Sequence, residues 1–192
     1  MSKERTDYLL DLNEILGPKM SAKLPGFAQR FLRKRLHMDQ INDCIMKAEH
    51  YAGAGFFDEA LNYIGITYKT RGEENLDLSK NYIFACNHPL GGPEALIIGS
   101  VFRRIYGDGF KVPANQILYN MKPLQEFFVP VKVQAGRQSR DIADRFTQMF
   151  ESDCQVLVFP AGLCARTFKG VITEMPWKKM FITQARKYER DV

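Results

Sequence analysis

The chain has 192 residues, of which 45% are hydrophobic and 12% aromatic, and its formal net charge is +5 at pH 7. This length and apolar content are sufficient for one folded domain with a buried core, and they exclude an intrinsically disordered chain. No apolar run approaches the roughly 18 consecutive residues that span a bilayer, and the first residues do not resemble a secretory signal. We therefore expect a cytoplasmic protein, folded as a single domain over residues 1–192.

The first part of that domain, residues 1–64, is predicted to be helical. One helix from Asp7 to Ile15 is stopped by Gly17-Pro18, and later helices run from Asp39 to about Tyr51 and from Phe56 to Tyr63.

Between these lies a basic helix over residues 24–37, whose projection places the aromatic residues with the leucines and opposite the cations. Such a helix can lie on an anionic membrane surface, or it can pack its apolar half on the protein's own core. Nucleic-acid binding is disfavoured because no platform of aromatic and basic residues accompanies the helix. The residues expected at the membrane surface are Phe27, Arg30, Phe31, Arg33 and Lys34.

The rest of the chain, residues 65–192, alternates strands with helices. Residues 66–70 alternate as a half-exposed strand does, and residues 82–86 are a buried apolar strand. Pro93 suits the start of a helix that Gly107 ends. This pattern predicts an α/β fold with a mixed, largely parallel sheet flanked by helices.

Further along, residues 127–133 are strand-like, but Pro130 cannot donate to a ladder and places them at an edge or a bulge. Ser139 caps a following helix, and residues 154–159, apolar apart from Gln155, are predicted to be a central strand. Residues 177–190 are predicted to form a last, basic helix.

Four cysteines are widely spaced, and none of them pairs at zinc-ligand spacing. In a reducing compartment they are expected to remain free thiols. We therefore predict no bound metal.

The buried strand at residues 82–86 leads into the turn Asn87-His88-Pro89-Leu90-Gly91-Gly92-Pro93-Glu94. Histidine has an unperturbed pKa of about 6.5, and a nearby carboxylate fixes its tautomer and stabilises its charged form. His88 with Glu94 is therefore a candidate general base for a hydroxyl or an amine. Asn87 either orients His88 or completes the turn.

The apolar strand at residues 154–159 ends in a second turn, Phe159-Pro160-Ala161-Gly162-Leu163-Cys164-Ala165-Arg166. Loops at the carboxyl ends of strands in such sheets are where ligands bind. The planar guanidinium of Arg166 suits a phosphate or a carboxylate, with Lys169 as a weaker neighbour.

Together, these turns resemble the glycerolipid and lysophospholipid acyltransferase family, which includes 1-acylglycerol-3-phosphate acyltransferases. Its signatures are Asn-His-x-x-x-x-Asp and Phe-Pro-Glu-Gly-Thr-Arg-Ser-Arg. With Trp177-Lys178-Lys179 added, the chain is more closely similar to a bacterial branch named after hemolysins and linked to acylation in ornithine and glycine lipids.

The resemblance implies acyl transfer from an acyl carrier protein or coenzyme A thioester to a hydroxyl or amine of a lysolipid or amino-acid lipid. His88 would be the base and Glu94 its partner, and no cofactor besides the thioester co-substrate is implied. It also implies peripheral attachment to the inner face of the cell membrane. The implied substrate-binding residues are Gly91, Gly92, Phe159, Pro160, Gly162, Arg166 and Lys169.

This sequence departs from the family pattern in three places. Pro93 occupies the family's acid position, so that the carboxylate comes one residue later, and Ala161 replaces the family's glutamate. The family's later apolar-proline strand would begin near residue 190, so we expect the chain to be truncated at its carboxyl end.

Two other interpretations remain open from the sequence alone. Cys86 shares a strand face with His88, so a thiolate that forms an acyl-enzyme is conceivable. Alternatively, the three departures mark a catalytically silent module that binds a membrane surface or a partner.

Overall fold

The computed structural model describes residues 11–35, 38–48, 55–119, 121–131 and 140–192. In the amino-terminal part, the break predicted at Gly17-Pro18 is confirmed, because Gly17 has φ 81° and separates two short helices. The predicted helix start at Asp7 and helix end at Tyr51 lie outside the described residues. The helices of this part are Leu12–Leu16, Pro18–Ser21, Gly26–Arg35, Met38–Ala48 and Gly55–Ile64.

A parallel sheet forms the centre of the body. Its strands are β1 (Ile83–Ala85), β2 (Phe110–Asn115), β3 (Phe128–Val131) and β4 (Gln155–Val158), arranged in the order β1-β4-β2-β3. Every neighbouring pair is parallel, with Ile83 opposite Val156 and Val112 opposite Phe128. The predicted α/β fold with a largely parallel sheet is therefore confirmed.

The connections between the strands position the later residues. Helix Gly92–Tyr106 joins β1 to β2, and helix Arg140–Glu151 precedes β4. A separate antiparallel hairpin, β5 (Arg166–Phe168) and β6 (Val171–Thr173), follows β4 and leads to helix Met180–Lys187. Short helical turns at Glu73–Asn75, Gln116–Tyr119 and Lys122–Leu124 complete the described elements.

Several predicted strands can be compared directly with the sheet. Pro130 does lie in an edge strand, and the apolar run at residues 154–159 is the buried strand β4, flanked on both sides. The strand predicted at residues 66–70 is wrong, because no strand forms there and the Tyr68 hydroxyl instead bonds to Ser100 of helix Gly92–Tyr106. Strand β2 was not predicted, since Pro113 interrupts its apolar run.

Two helix starts also bear on the predictions. The last helix begins at Met180 rather than Trp177. The predicted cap Ser139 lies outside the described residues, although the helix that it was to begin is present from Arg140.

The core has two clusters, and alternation along β4 divides its side chains between them. Leu157 packs with Phe57, Phe110 and other residues in one cluster, whereas Val156 and Val158 pack in the other. Helix Gly55–Ile64 lies against helix Gly92–Tyr106 at Gly99, where a Cβ atom would lie 2.3 Å from the Phe57 ring.

The basic helix Gly26–Arg35 presents a different face from the predicted one. Phe27 and Phe31 are 72% and 67% exposed and share a stripe at helical spacing with Arg30 and Lys34, which are also exposed. The opposite side contributes Leu32 to the core. The alternative in which the two phenylalanines pack on the protein's own core is therefore wrong.

Within the described ranges, no helix is both long enough and apolar enough to cross a membrane.

Candidate active site

The two sequence turns meet because β1 and β4 are adjacent and parallel. Cys86, just after β1, donates its N–H to the Val158 carbonyl at 3.0 Å, which extends the pairing to the carboxyl edge of the sheet. Beyond this bond, His88 and Phe159 stack on each other. Their ring centroids are 4.2 Å apart and the interplanar angle is 24°. The structure therefore brings His88 and the second turn together.

His88 is paired with Glu94. The Nδ1 atom of His88 lies 2.7 Å from Oε1 of Glu94, and the two side chains are 17% and 13% exposed. A neutral imidazole bonded to a carboxylate in this way carries its proton on Nδ1, which leaves the Nε2 lone pair as the basic site. No described residue forms a hydrogen bond to Nε2.

Glu94 reaches His88 because of its place in the first turn of helix Gly92–Tyr106. Gly91 is the N-cap, and Glu94 at the third helical position accepts its N–H at 2.7 Å. The Leu90 N–H donates to both carboxylate oxygens, at 3.0 and 3.1 Å. The one-residue shift from the family pattern therefore still brings a carboxylate to the imidazole, held by backbone donors.

Gly91 must be glycine for two reasons. Its φ of 90° and ψ of −108° lie where side chains are rarely tolerated, and a Cβ atom would come within 3.1 Å of the Cys164 Sγ. Because the Gly91 N–H already bonds to Glu94, it is not free to stabilise an oxyanion. Gly92, the first residue of the helix, is exposed.

Glu174 is a site residue that the sequence reasoning missed. Its Oε1 accepts the His88 backbone N–H at 2.7 Å, while the His88 carbonyl accepts the Ala165 N–H at 2.7 Å. The main chain of His88 is therefore held from both sides by residues that flank the β5–β6 hairpin. A signal was available, since Glu174 is the only carboxylate between residues 161 and 188.

The second turn is closed around Gly162 and brings in another missed residue. The Gly162 N–H donates to the Phe159 carbonyl at 2.9 Å, and Gly162 has φ 74°. A Cβ atom there would lie 3.1 Å from Nζ of Lys178, whose own backbone N–H donates to the Pro160 carbonyl at 3.1 Å. The ammonium of Lys178 therefore lies against this turn. The position after Pro160, which is glutamate in the family pattern, is the buried Ala161 in this chain.

The remaining predicted site residues differ in how close they lie to His88. Arg166 is exposed at the start of β5, directly after the residue that bonds to the His88 carbonyl. Lys169 is at the hairpin tip, three extended residues or roughly 10 Å further along, so it is not beside Arg166. Asn87 is exposed and makes no hydrogen bond to another described residue.

Neither cysteine near the site is prepared to act as a nucleophile. Burial raises the pKa of Cys86 to about 11, and the side chain packs against the core. Burial, followed by the negative charge of Glu94, also raises the pKa of Cys164. Because the thiolate is the reactive form, these shifts disfavour the Cys86 acyl-enzyme.

Within the part of the chain that the structure describes, no group of three or more histidine, cysteine, aspartate or glutamate residues is arranged to hold a metal ion.

Comparison with known proteins assigns the class. Residues 12–192 match the protein family described as Acyltransferase, so the chain belongs to that family. The protein is therefore an acyltransferase, and this assignment argues against the silent-module interpretation.

Two relatives bear the name lyso-glycine lipid O-acyltransferase. The protein from Bacteroides thetaiotaomicron is 34% identical over 188 residues, covering 96% of this chain and 69% of its own length. The one from Phocaeicola vulgatus is 30% identical over 188 residues, covering 96% of this chain and 67% of its own length. No solved structure matches the chain significantly.

Proposed function

We propose that this acyltransferase moves a fatty acyl group from a thioester to a hydroxyl group of a lysolipid, with His88 as the general base. The observation that carries the proposal is the pair of His88 and Glu94, joined at 2.7 Å with Nε2 unpaired among the described residues. An imidazole in this setting contributes roughly 10² to 10⁴ in rate.

The reaction needs one proton relay. The acceptor hydroxyl donates its proton to Nε2 of His88 as its oxygen attacks the thioester carbonyl, while Glu94 stabilises the imidazolium through Nδ1–H. The tetrahedral intermediate then collapses, the C–S bond breaks, and the imidazolium returns the proton to the departing thiolate. The products are an ester and a free thiol, and His88 is neutral again.

The developing oxyanion requires hydrogen-bond donors. Gly92 opens the helix Gly92–Tyr106, and the unpaired N–H groups of a helix start favour negative charge. We assign the oxyanion to this helix start, two residues before Glu94.

The acceptor is inferred to carry an anionic head. The names of the relatives specify transfer to oxygen and a lipid containing glycine, and a glycine joined through its nitrogen leaves a free carboxylate. Lys178 places its ammonium against the Gly162 turn, and Arg166 follows that turn along the chain, where its guanidinium can bind a carboxylate with two hydrogen bonds.

The acyl donor is a thioester of either acyl carrier protein or coenzyme A, and both provide the same leaving group. The two donors can be distinguished by incubating the purified protein with a lyso-glycine lipid and each thioester in turn, and by measuring the rate of ester formation. We expect one donor to be used with at least about a tenfold higher kcat/KM.

Peripheral attachment at the inner face of the membrane is also part of the proposal. The exposed stripe formed by Phe27, Arg30, Phe31 and Lys34 combines aromatic and cationic side chains, as interfacial helices do. Arg33 bonds to Asp39 at 2.7 Å and is the least available of the predicted cations. Neutralising Arg30 and Lys34 is expected to weaken flotation with anionic vesicles, and unchanged flotation would remove this part of the proposal.

Mass spectrometry of the lipid product tests the central proposal. The wild-type protein is expected to add one acyl chain through an ester bond, and His88→Ala is expected to form this product at least about 10²-fold more slowly. An unchanged rate in His88→Ala protein that unfolds at the wild-type temperature would refute the assignment of the base.

A further inference from the structure

The β5–β6 hairpin projects from the body close to the site. Among the described residues, its strands pair only with each other, Arg166 opposite Thr173 and Phe168 opposite Val171, and all six strand residues are exposed. Its tip is Lys169-Gly170, with φ 50° and 81°. A two-stranded hairpin is at best marginally stable alone in water, so contacts beyond its own ladder are needed to support it.

Large apolar side chains cover this hairpin. Phe168, Val171 and Ile172 are 68%, 63% and 70% exposed, although they lie within an eight-residue element. The nearby Trp177 is 45% exposed. Phe168 and Val171 lie opposite each other on one face of the hairpin, whereas Ile172, opposite Thr167, is on the other face, so apolar side chains are exposed on both faces near the tip. Clustered exposed apolar groups mark an interaction surface, whereas isolated ones do not.

The charges around the hairpin have one sign. Residues 161–173 contain Arg166 and Lys169 but no carboxylate, and Lys178 and Lys179 follow. Glu174, the acid that directly follows β6, bonds inward to the His88 N–H. Apolar residues flanked by cations suit a surface that is apolar inside and negatively charged outside, and an anionic bilayer has that chemistry.

The ends of the hairpin connect this surface to the base. Ala165, just before β5, and Glu174, just after β6, hold the carbonyl and the N–H of His88 at 2.7 Å each. A displacement of the hairpin is therefore transmitted to the His88 backbone through hydrogen bonds.

We propose that the β5–β6 hairpin inserts Phe168, Val171 and Ile172 into the boundary between the headgroups and acyl chains of an anionic bilayer, next to the active site. Lys169 at the tip then meets lipid phosphates. The inference rests on the proposed function, because a lipid acceptor must pass from the bilayer to His88. It adds a membrane contact that differs from the Gly26–Arg35 helix.

Partitioning tests the hairpin without any turnover. Flotation is measured with vesicles of phosphatidylglycerol and phosphatidylcholine for wild type, the Phe168→Ser/Ile172→Ser variant and the control Leu78→Ser. Leu78 is 62% exposed but precedes β1, at the other end of that strand from His88. We expect partitioning of the double variant to fall by roughly tenfold or more, Lys169→Gln to lose about fivefold, and the control to match wild type.

Trp177 provides a second readout because it is the only tryptophan of the chain. Lipids brominated along the acyl chain are expected to quench its fluorescence in bound wild-type protein. Protein that floats with vesicles without such quenching would overturn the inference, as would a double variant that partitions like wild type.

The role of His88 as the base and the membrane role of the hairpin can be refuted independently of each other. His88→Ala is expected to partition like wild type while losing transfer, so its activity tests the base and not the hairpin. On a short-chain, monomeric acceptor the Phe168→Ser/Ile172→Ser variant is expected to keep its wild-type rate. Loss of that rate with unchanged partitioning would contradict the bilayer role and leave the role of His88 intact.

Discussion

The two edges of the parallel sheet, at the amino and the carboxyl ends of its strands, each hold a polar residue of low exposure, and they use it differently. At the amino edge, Arg190 donates to the backbone carbonyls of Phe150 at 3.1 Å and Cys154 at 2.6 Å, and also to that of Ser152. At the carboxyl edge, His88 has one nitrogen bound to Glu94, and its other nitrogen has no described partner. Full satisfaction of polar groups is typical of a structural role, whereas an oriented group with a free position can react.

The presence of a cavity does not show which of these two edges is the reactive one. A polar cavity of about 550 Å³ lies at the amino edge, lined by Lys80, Asp153, Arg190 and other residues. Two of its cations are engaged locally: Lys80 pairs with Asp191 at 2.7 Å, and Arg190, whose pKa is lowered by burial, donates to backbone carbonyls. The reactive group is at the opposite edge, where ligands bind in open α/β sheets.

Removing the carboxylate at the carboxyl edge is expected to have the largest effect. Glu94→Gln retains an oxygen for the Gly91 N–H but loses the charge that stabilises an imidazolium. We expect kcat/KM to fall by roughly 10- to 10²-fold with little change in KM. The double variant with His88→Ala should be no slower than His88→Ala alone, because the two residues act as a unit; multiplicative losses would show that they act separately.

At the amino edge, the expected effect is on stability and not on rate. Arg190→Met leaves three buried or partly buried carbonyls without their donor, and we expect the free energy of unfolding in urea to fall by about 3 kcal/mol. Arg186→Met, on the exposed side of the last helix, is the control and should change it by less than about 0.5 kcal/mol. A folded Arg190→Met protein with strongly reduced transfer would break the division between the edges.

A smaller effect, on stability, is expected where the two turns approach each other at Gly91 and Cys164. Gly91→Ala places a side chain at φ 90° and against Cys164, and we expect unfolding to become easier by about 1–3 kcal/mol. Adding Cys164→Ala should recover the part caused by contact. Gly107→Ala, at φ 60° with no atom near its Cβ position, measures backbone strain alone; equal losses at both glycines would exclude a contribution from the contact.

The smallest effect is expected at Cys86. With its pKa raised to about 11 by burial, the thiol is protonated at every pH well below that value and becomes a thiolate only as the pH rises toward it. Iodoacetamide at pH 8 should therefore label the exposed Cys164 first. Cys86→Ala should retain activity within about twofold of wild type, and a loss comparable to that of His88→Ala would revive the acyl-enzyme.

The strands that hold the site could be predicted from the sequence, but the contacts that complete the site could not. The run 82–86 is apolar throughout and the run 154–159 is apolar apart from Gln155, so their burial in a parallel sheet was predictable. Strand β2 was missed because Pro113 breaks its pattern, and residues 66–70 alternate yet lie against a helix. Periodicity describes a segment's own faces and does not identify its neighbour.

The same limit applies to the site residues. His88 and Glu94 lie within one turn and one helix start, so local rules brought them together. Glu174 and Lys178 are separated from His88 by about ninety residues of sequence and reach the site only through the hairpin and the last turn. The face of the Gly26–Arg35 helix was also misassigned, because only tertiary packing distinguishes Leu32 from Phe31.

Chemical rescue of His88→Gly tests the central claim most directly. Ester formation from a thioester and a lyso-glycine lipid is measured with added imidazole and, as a control, with sodium chloride of equal ionic strength. The predicted result is a rate at least about 10²-fold below wild type that rises with the imidazole concentration and not with the salt. A His88→Gly protein that forms the ester at the wild-type rate in the absence of imidazole would contradict the account.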